Sequence, residues 1–260
     1  MANSRSGDSV IDRVTRVLAS FDTTRTGQTV AQIARRTGLP SSTAHRLVAD
    51  LAAAGWLERD DDGTIRIGMR LWELTTRGSL ALGLRQAALP HMETVQTALR
   101  QHTQLAVRED DAVLFLERLS APGAASNIAR IAGRLPLNAS SSGLVLLAAA
   151  DPETQERILA APLTALTPET IAEPAELRRK LAEVRRLGYA AAPGSIELEA
   201  TGIAVPVRHG NDVVAALGVV VPRSAGRPRA DRAASARGSG RHPVDAIGAS
   251  VRLKSCIPGA

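Results

Sequence analysis

The sequence predicts an α+β protein with an N-terminal winged helix-turn-helix, a linker helix and a C-terminal α/β domain of the sensor type. Three helical segments followed at once by a hairpin signal predict the first domain over residues 8–70. Apolar strands that alternate with helices predict the second domain over residues 103–222. The chain of 260 residues is long enough for two domains, because single cores rarely grow past about 250 residues.

The overall composition is that of a soluble globular protein, with 44% apolar and 22% charged residues. The single cysteine, Cys256, excludes an intramolecular disulfide framework and a cysteine-rich zinc site. The first residues lack the apolar core of a signal peptide, and no apolar run approaches the ~20 residues that cross a bilayer. We therefore expect a cytoplasmic protein with no membrane partner, no metal site and no cofactor.

The net charge of +6 is confined to the end of the chain. Residues 223–260 carry eight basic and two acidic side chains, so residues 1–222 are neutral overall. Bulk basicity is therefore no argument for nucleic-acid binding. The same segment is rich in Arg, Ala, Gly and Pro and has no helical apolar period over most of its length. This composition predicts a tail that is disordered or translated out of frame from a GC-rich gene.

Helical spacing of apolar residues marks three short segments of the first domain, residues 10–18, 30–37 and 41–54. Gly38 ends the second helix, and Pro40 with the serines after it supplies the start and the cap of the third. The third helix has an apolar stripe on one side, formed by Ala44, Leu47, Val48 and Leu51. Its other side is polar, as expected for a helix that packs on one face only.

A hairpin follows the three helices. Short strands are predicted over residues 57–60 and 64–67, with Asp61-Asp62-Gly63 as the turn between them. This order of three helices and a hairpin is that of a winged helix. The second and third helices form a helix-turn-helix, in which the second helix of the pair fits a DNA major groove.

The linker and the second domain follow. We assign residues 71–102 to linker helices, with a short helix near Met69 to Leu74 and a longer one over residues 80–101 that contains Pro90. In the second domain, strands are predicted over residues 104–107, 113–119, part of 128–137, 202–207 and 213–221, and helices over 141–150, 152–160 and 174–187.

Compact polar side chains at the start of the third helix suit contacts with phosphates or base edges, and nearby arginines suit backbone phosphates. Arg46 is of the type that bridges O6 and N7 of a guanine. We therefore expect a double-stranded DNA operator as partner, contacted by Arg35, Arg36, Ser41, Ser42, Thr43, His45, Arg46, Arg59 and Arg66. The alternative is an amphipathic helix pair with a merely solvated face, which leaves the basic hairpin unexplained.

Separated motifs carry a resemblance to a known family. One runs from Thr29 to Leu47 and continues with Gly55-Trp56-Leu57. Others follow in order at Gly133 to Gly143, Gly188-Tyr189, Thr201 to Val207 and Val213 to Leu217. Through these motifs the chain resembles the IclR family of bacterial transcriptional regulators over residues 10–222. It departs from the family after Pro222, where relatives close the domain with an amphipathic helix.

The resemblance implies an effector-binding domain related to GAF and PAS sensors, an operator affinity controlled by a small-molecule effector, and a homodimer or homotetramer. It places the effector at Ser141, Ser142, Gly143, Thr201, Gly202, Ile203, Gly218 and Val220. The start of a helix at Ser141 suits a carboxylate, although a simple serine cap is an equal alternative. Gly218 and Val220 stand where some relatives have hydroxyl-bearing residues, which favours a larger organic acid, such as an aromatic acid.

Two other classes of protein compete with this interpretation. An enzyme would need a nucleophile with a base, a metal cluster or a phosphate loop, and the sequence has none of those motifs. Glu197 and Glu199 could suggest paired carboxylates, but alternation on an exposed strand or loop explains them equally well. We therefore expect no enzyme. The second alternative is a winged-helix DNA-binding protein whose C-terminal domain only dimerises, without a ligand.

Overall fold

The computed structural model of the chain describes residues 8–22, 24–124 and 128–223. The chain divides into two compact units, with the boundary between Leu80 and Ala81, inside the predicted linker. The predicted tail lies, apart from Arg223, outside the described residues, so its character stays a prediction. None of the described helices is both long and apolar enough to cross a bilayer.

The first unit has the predicted winged helix-turn-helix. Its helices are α1 (Val10–Ala19), α2 (Val30–Thr37), α3 (Ser41–Ala53) and α4 (Met69–Thr76). Its strands are β1 (Gly27–Gln28), β2 (Leu57–Arg59) and β3 (Ile65–Ile67), which form an antiparallel sheet in the order β1-β3-β2. The hairpin of β2 and β3 was predicted, whereas β1 was not.

Local signals set the limits of these helices. Ser9 and Asp12 form a reciprocal capping box at the start of α1, and Thr29 and Gln32 form another at the start of α2. Gly38 follows α2 with a φ of 66°, a left-handed conformation that glycine adopts at little cost. The chain therefore turns sharply between α2 and α3, as a helix-turn-helix requires.

The apolar stripe of α3 is buried as predicted, with Ala44, Leu47, Val48 and Leu51 all in the core of the first unit. They pack with Val17 of α1, Ile33 of α2, and Leu57 and Ile65 of the hairpin. Burial of apolar side chains from α1, α2, α3 and the hairpin accounts for the fixed position of α3 on the helices before it.

The second unit is built on a six-stranded antiparallel sheet, in the order β6-β5-β4-β9-β8-β7. The strands are β4 (His102–Glu109), β5 (Ala112–Leu119), β6 (Arg134–Pro136), β7 (Ala190–Pro193), β8 (Ala200–His209) and β9 (Asp212–Pro222). The helices are α5 (Leu80–Leu99), α6 (Ser141–Ala148), α7 (Pro152–Ala160) and α8 (Pro174–Leu187). The predicted α+β class is confirmed, while β7 was missed.

Helices cover both faces of this sheet. On one face, Leu84, Met92 and Val95 of α5 pack with Leu105 and Ile203 of the sheet. We call this side the α5 face. On the other face, the α6 face, α6 packs over β4, β5, β8 and β9, and α8 packs against α6. The unit therefore has three layers, and α6 begins directly over the middle of the sheet.

Candidate functional sites

The polar side of α3 is open to solvent. Ser41, Ser42, His45 and Arg46 are exposed, and Thr43 is half-buried. We call these five residues the recognition face. Within the described part of the chain, Arg46 has no hydrogen bond or ion pair. Its guanidinium is therefore available to a partner outside the protein.

The N-terminus of α3 differs from the prediction in one detail. Pro40 is the N-cap residue, and no side chain caps the helix, so the expected serine cap is wrong. The physical reason is that Ser41 already has helical geometry and is the first residue of α3. The first N–H groups of α3 have no side-chain acceptor, and an exposed helix N-terminus of this kind attracts phosphate.

The predicted arginines outside α3 fall into two groups. Arg35 and Arg36, in the last turn of α2, and Arg59, on β2, are exposed. Arg66 of β3 is also exposed, but its Nε donates a hydrogen bond to Asp60 at 2.5 Å, which raises the pKa of Arg66 above its usual value. Asp60 therefore offsets part of the charge that the hairpin offers to a phosphate.

The start of α6 lies close to two glycines of the sheet. Ser140 is the N-cap, and its Oγ accepts from the Gly143 N–H at 3.0 Å. A Cβ added to Gly202 would lie 2.8 Å from Ser141 Oγ, and one added to Gly218 would lie 3.2 Å from Ser142 Oγ. The capping role therefore belongs to Ser140, and glycines on β8 and β9 let Ser141 and Ser142 approach the strands.

A small cavity of about 30 Å³ lies at this end of α6. We call it the effector cavity. Three of the predicted effector residues line it, namely Ser141, Gly202 and Val220. The other lining residues are Gln104, Ile128, Ala129, Leu135, Ala139, Ser140, Ala192, Ile196, Glu197 and Ala200. The cavity thus combines helix-terminal serines with mostly apolar walls and with one carboxylate, that of Glu197.

Five predicted effector residues do not line this cavity. Thr201 and Ile203 project to the α5 face, because successive residues of a strand alternate between faces and Ile203 packs with α5. The structure therefore does not place these two with Ser141. Gly143 is held against Leu137, since a Cβ there would lie 2.2 Å from the Leu137 carbonyl oxygen. Ser142 and Gly218 contact each other beside the cavity.

Sequence reasoning missed the polar residues on the α6 face of β4 and β5. Gln104 pairs with Gly218 on one side and with Arg118 on the other, so all three share a face. Arg118 Nη1 donates to the Ala129 carbonyl oxygen at 2.8 Å. The signal available in the sequence was Gln104, a polar residue in the predicted strand over residues 104–107, whose other residues are apolar. Glu197, considered earlier only as one of a carboxylate pair, lines the effector cavity, and Glu199 is exposed.

His102 lies on the same face, since it pairs with Val220. The imidazole is buried, and its Nδ1 accepts from the Ala121 N–H at 3.3 Å. Burial lowers the pKa of His102, and the nearby positive charge of Arg118 lowers it further. Positive charges on His102 and Arg118, beside the effector cavity, therefore repel each other.

Two larger hollows occur elsewhere in the second unit. One of about 540 Å³ runs along α8 and the edge strand β7, and five of its lining residues are charged, namely Glu169, Glu176, Arg179, Lys180 and Glu183. Another of about 350 Å³ lies near the β8–β9 turn and includes Arg185 and Arg208. Neither contains a predicted effector residue.

Two family domains match the chain. The IclR helix-turn-helix domain matches residues 10–61. The domain described as the bacterial transcriptional regulator IclR C-terminal domain matches residues 80–236, which is more than half of the chain. The matches cover both units of the structure.

Named relatives and a solved structure agree with these matches. The HTH-type transcriptional regulator XynR of Escherichia coli K12 is 30% identical over 80% of this chain and 83% of its own. The Pca regulon regulatory protein of Pseudomonas putida is 28% identical over 78% of this chain and 70% of its own. The crystal structure of an IclR homolog from Microbacterium hydrocarbonoxydans, complexed with 4-hydroxybenzoate, is 52% identical, has a TM-score of 0.84, and covers 94% of this chain and 96% of its own.

The winged helix with its free recognition face, joined to a sensor-type domain, defines a DNA-binding transcriptional regulator. The family matches then make the identification narrower. The chain belongs to the IclR family of bacterial transcriptional regulators, as the sequence motifs predicted.

Proposed function

We propose that this regulator binds a double-stranded DNA operator through the recognition face of α3 and that an aromatic organic acid, bound in the effector cavity, controls the operator affinity. The observation that carries the DNA-binding part is the exposed, unpaired Arg46 on a helix whose opposite side is fully buried. This arrangement lets α3 enter a major groove without loss of its packing.

The DNA contacts divide into two kinds in this proposal. Arg46 contacts a base edge, together with His45, Ser42 and Thr43. Ser41 and the uncapped N-terminus of α3 contact a phosphate, and Arg35, Arg36, Arg59 and Arg66 contact further phosphates. The phosphate contacts fix the orientation of α3, and the base contacts supply sequence preference.

The effector part is supported by the chemistry of the cavity and by one relative. Ser140 and Ser141 are buried at the start of α6, where the helix dipole favours a negative charge. The relative with 52% identity was crystallised with 4-hydroxybenzoate. The cavity of about 30 Å³ has the volume of about one water molecule, so its walls must separate before an aromatic acid enters.

Regulation requires a second copy and a differential effect of the acid. We propose that two copies of α3 occupy the half-sites of an inverted repeat and that α5, which follows α4 in the chain, transmits the change in the second unit. The acid must bind the DNA-competent and DNA-incompetent states unequally, since equal binding would shift nothing. We expect this regulator to act in the cytoplasm and to have no catalytic activity.

Replacement of Arg46 tests the DNA-binding part. Arg46→Ala should weaken operator binding by about 1–3 kcal/mol, while binding to random DNA changes little. Arg36→Ala is the matched comparison, because loss of a phosphate contact should weaken binding to all sequences and reduce its salt dependence. Footprinting of the purified protein on genomic fragments supplies the operator. Unchanged discrimination between operator and random DNA in Arg46→Ala would exclude base readout by this residue.

Fluorescence anisotropy of the operator complex tests the effector part. Addition of 4-hydroxybenzoate to the wild-type complex should change the operator affinity and raise the melting temperature of the free protein, because ligand binding stabilises the folded state. If neither quantity responds to a panel of aromatic and aliphatic acids, the second unit only dimerises.

A further inference from the structure

We propose that Arg118 makes the effector cavity selective for carboxylates. The inference rests on the proposed function, because it assumes that the cavity receives the effector. Neither the sequence motifs nor the start of α6 indicates Arg118. The inference assigns to Arg118 the recognition of the negative charge of the ligand.

A break in the strand register brings Arg118 to this face. Leu105 of β4 pairs with Glu117, and the next residue, Ala106, pairs with Phe115, so one extra residue of β5 lies between these pairs. Glu117 therefore shares the α5 face with Leu105, and Arg118 shares the α6 face with Gln104. Two neighbours of Arg118, Gln104 and Ala129, line the effector cavity.

The charge of Arg118 has no acidic partner in residues 8–22, 24–124 and 128–223. Its Nη1 donates to the Ala129 carbonyl oxygen at 2.8 Å, but its Nε is buried without a hydrogen-bond acceptor. A buried donor without an acceptor is unfavourable, and a carboxylate is the group that accepts from a guanidinium through two parallel hydrogen bonds. Arg118 lies behind Gln104 and Ala129 and does not itself line the cavity, so an anion reaches its Nε when the cavity walls separate, and it then supplies the missing acceptor.

The other charged groups near Arg118 do not fill this role. The Glu117 carboxylate accepts from the Arg118 backbone N–H at 2.8 Å, and its other oxygen is paired with Arg85 of α5. His102 adds positive rather than negative charge when it is protonated. Glu197 lines the cavity and would repel an incoming anion, so a compensating cation is needed for carboxylate binding.

A purely structural role for Arg118 makes a different prediction. If Arg118 only holds the segment of Ala129 through its carbonyl oxygen, its loss should weaken binding of charged and neutral ligands alike. If it reads the carboxylate, its loss should remove the preference for the charged ligand. The ratio of the two affinities therefore separates the roles, even if the variant is less stable.

Isothermal titration calorimetry with 4-hydroxybenzoate and its neutral analogue 4-hydroxybenzamide measures this ratio on the full-length protein. We expect the wild type to prefer the acid by about 10- to 100-fold, the range of a charge-assisted hydrogen bond. Arg118→Gln should bring the ratio near one, and Arg118→Lys should restore part of it. Arg130→Gln, a change at an exposed arginine of the same segment, should leave the ratio unchanged.

The outcomes separate the inference from the proposed function. A wild-type protein that binds acid and amide equally, or an Arg118→Gln variant with the wild-type ratio, overturns the role of Arg118 and leaves effector binding intact. A wild-type protein that binds neither compound nor any other organic acid overturns the effector proposal, and the role of Arg118 with it. A ratio of acid to amide affinity near one in Arg118→Gln, with the wild-type ratio kept in Arg130→Gln, supports the inference.

Discussion

His102 shows how one buried side chain couples the second unit to pH. Its pKa lies below the usual value near 6.5, because burial and the charge of Arg118 both disfavour the imidazolium. The folded state therefore binds fewer protons than the unfolded state below that pH. The free energy of unfolding therefore falls as the pH decreases through 6.5.

His102→Asn should reduce this pH dependence. The amide oxygen can still accept from the Ala121 N–H, but it does not titrate. We expect the melting temperature of the wild type to fall more steeply than that of His102→Asn between about pH 7.5 and about pH 5.5. Differential scanning calorimetry measures both curves. The matched control is His209→Asn, at an exposed histidine, and an equally steep fall in His102→Asn would contradict the prediction.

The predicted effector residues illustrate which placements of single side chains a sequence can predict. Ser141, Gly202 and Val220 line the cavity, and the recognition face of α3 is exposed. Thr201 and Ile203 could not be placed, because β8 is buried on both faces and an apolar run then carries no sign of which residues face which side. Arg118 could not be placed either, since the extra residue of β5 reverses the alternation before it.

The ion pair of Arg85 and Glu117 links α5 to β5 of the sheet. The Glu117 side chain is only 5% exposed, whereas that of Arg85 is 43% exposed. Removal of Arg85 and removal of Glu117 should therefore lower the free energy of unfolding by different amounts. Without Glu117, the half-exposed Arg85 is solvated by water. Without Arg85, a buried carboxylate keeps, among the described residues, only the Arg118 N–H as a partner.

Arg85→Gln should therefore destabilise the protein more than Glu117→Gln. We expect a loss of about 1.5–3 kcal/mol for Arg85→Gln and about 1 kcal/mol for Glu117→Gln. The double variant should recover part of the loss, because it has no buried charge. Urea denaturation of the four proteins in a double-mutant cycle measures the coupling. Equal effects of the two single variants would show that Glu117 does not depend on Arg85.

Element prediction succeeded where periodicity and caps agree. The helices α1, α2, α3, α7 and α8 begin and end within two residues of the predicted limits, since apolar spacing coincides with capping or glycine signals. β1 and β7 were missed for different reasons. β1 has two residues, and β7 is an alanine-rich strand without the β-branched or aromatic residues that mark strands in a sequence.

At the scale of the whole molecule, α4 is an amphipathic helix that the described residues leave uncovered. None of its residues is buried, and Met69, Trp72 and Leu74 are exposed by 68%, 61% and 42%. Exposed apolar side chains grouped on one short helix are typical of a protein contact. We expect a second copy of this chain to cover them, because the proposed binding to an inverted repeat requires two recognition helices.

Trp72→Ser should therefore weaken self-association. Loss of a tryptophan from the centre of an interface costs about 2 kcal/mol or more, which corresponds to a rise of about 30-fold in the dissociation constant of the dimer. Sedimentation over a range of protein concentrations measures this constant. Arg77→Gln, at the exposed residue that follows the last turn of this helix, should have little effect. A Trp72→Ser variant with the wild-type constant would show that α4 is not the contact.

The small volume of the effector cavity limits the sensitivity of the proposed response to the acid. In the proposed mode of binding, an aromatic ring is too large for a space of about 30 Å³, so the acid binds to a minor, expanded form of the second unit. The apparent dissociation constant then equals the intrinsic constant divided by the fraction of molecules in that form. Substitutions that loosen the walls without touching the ligand would lower the concentration of acid at which the promoter responds, so the regulator's threshold can drift while its chemical preference stays fixed.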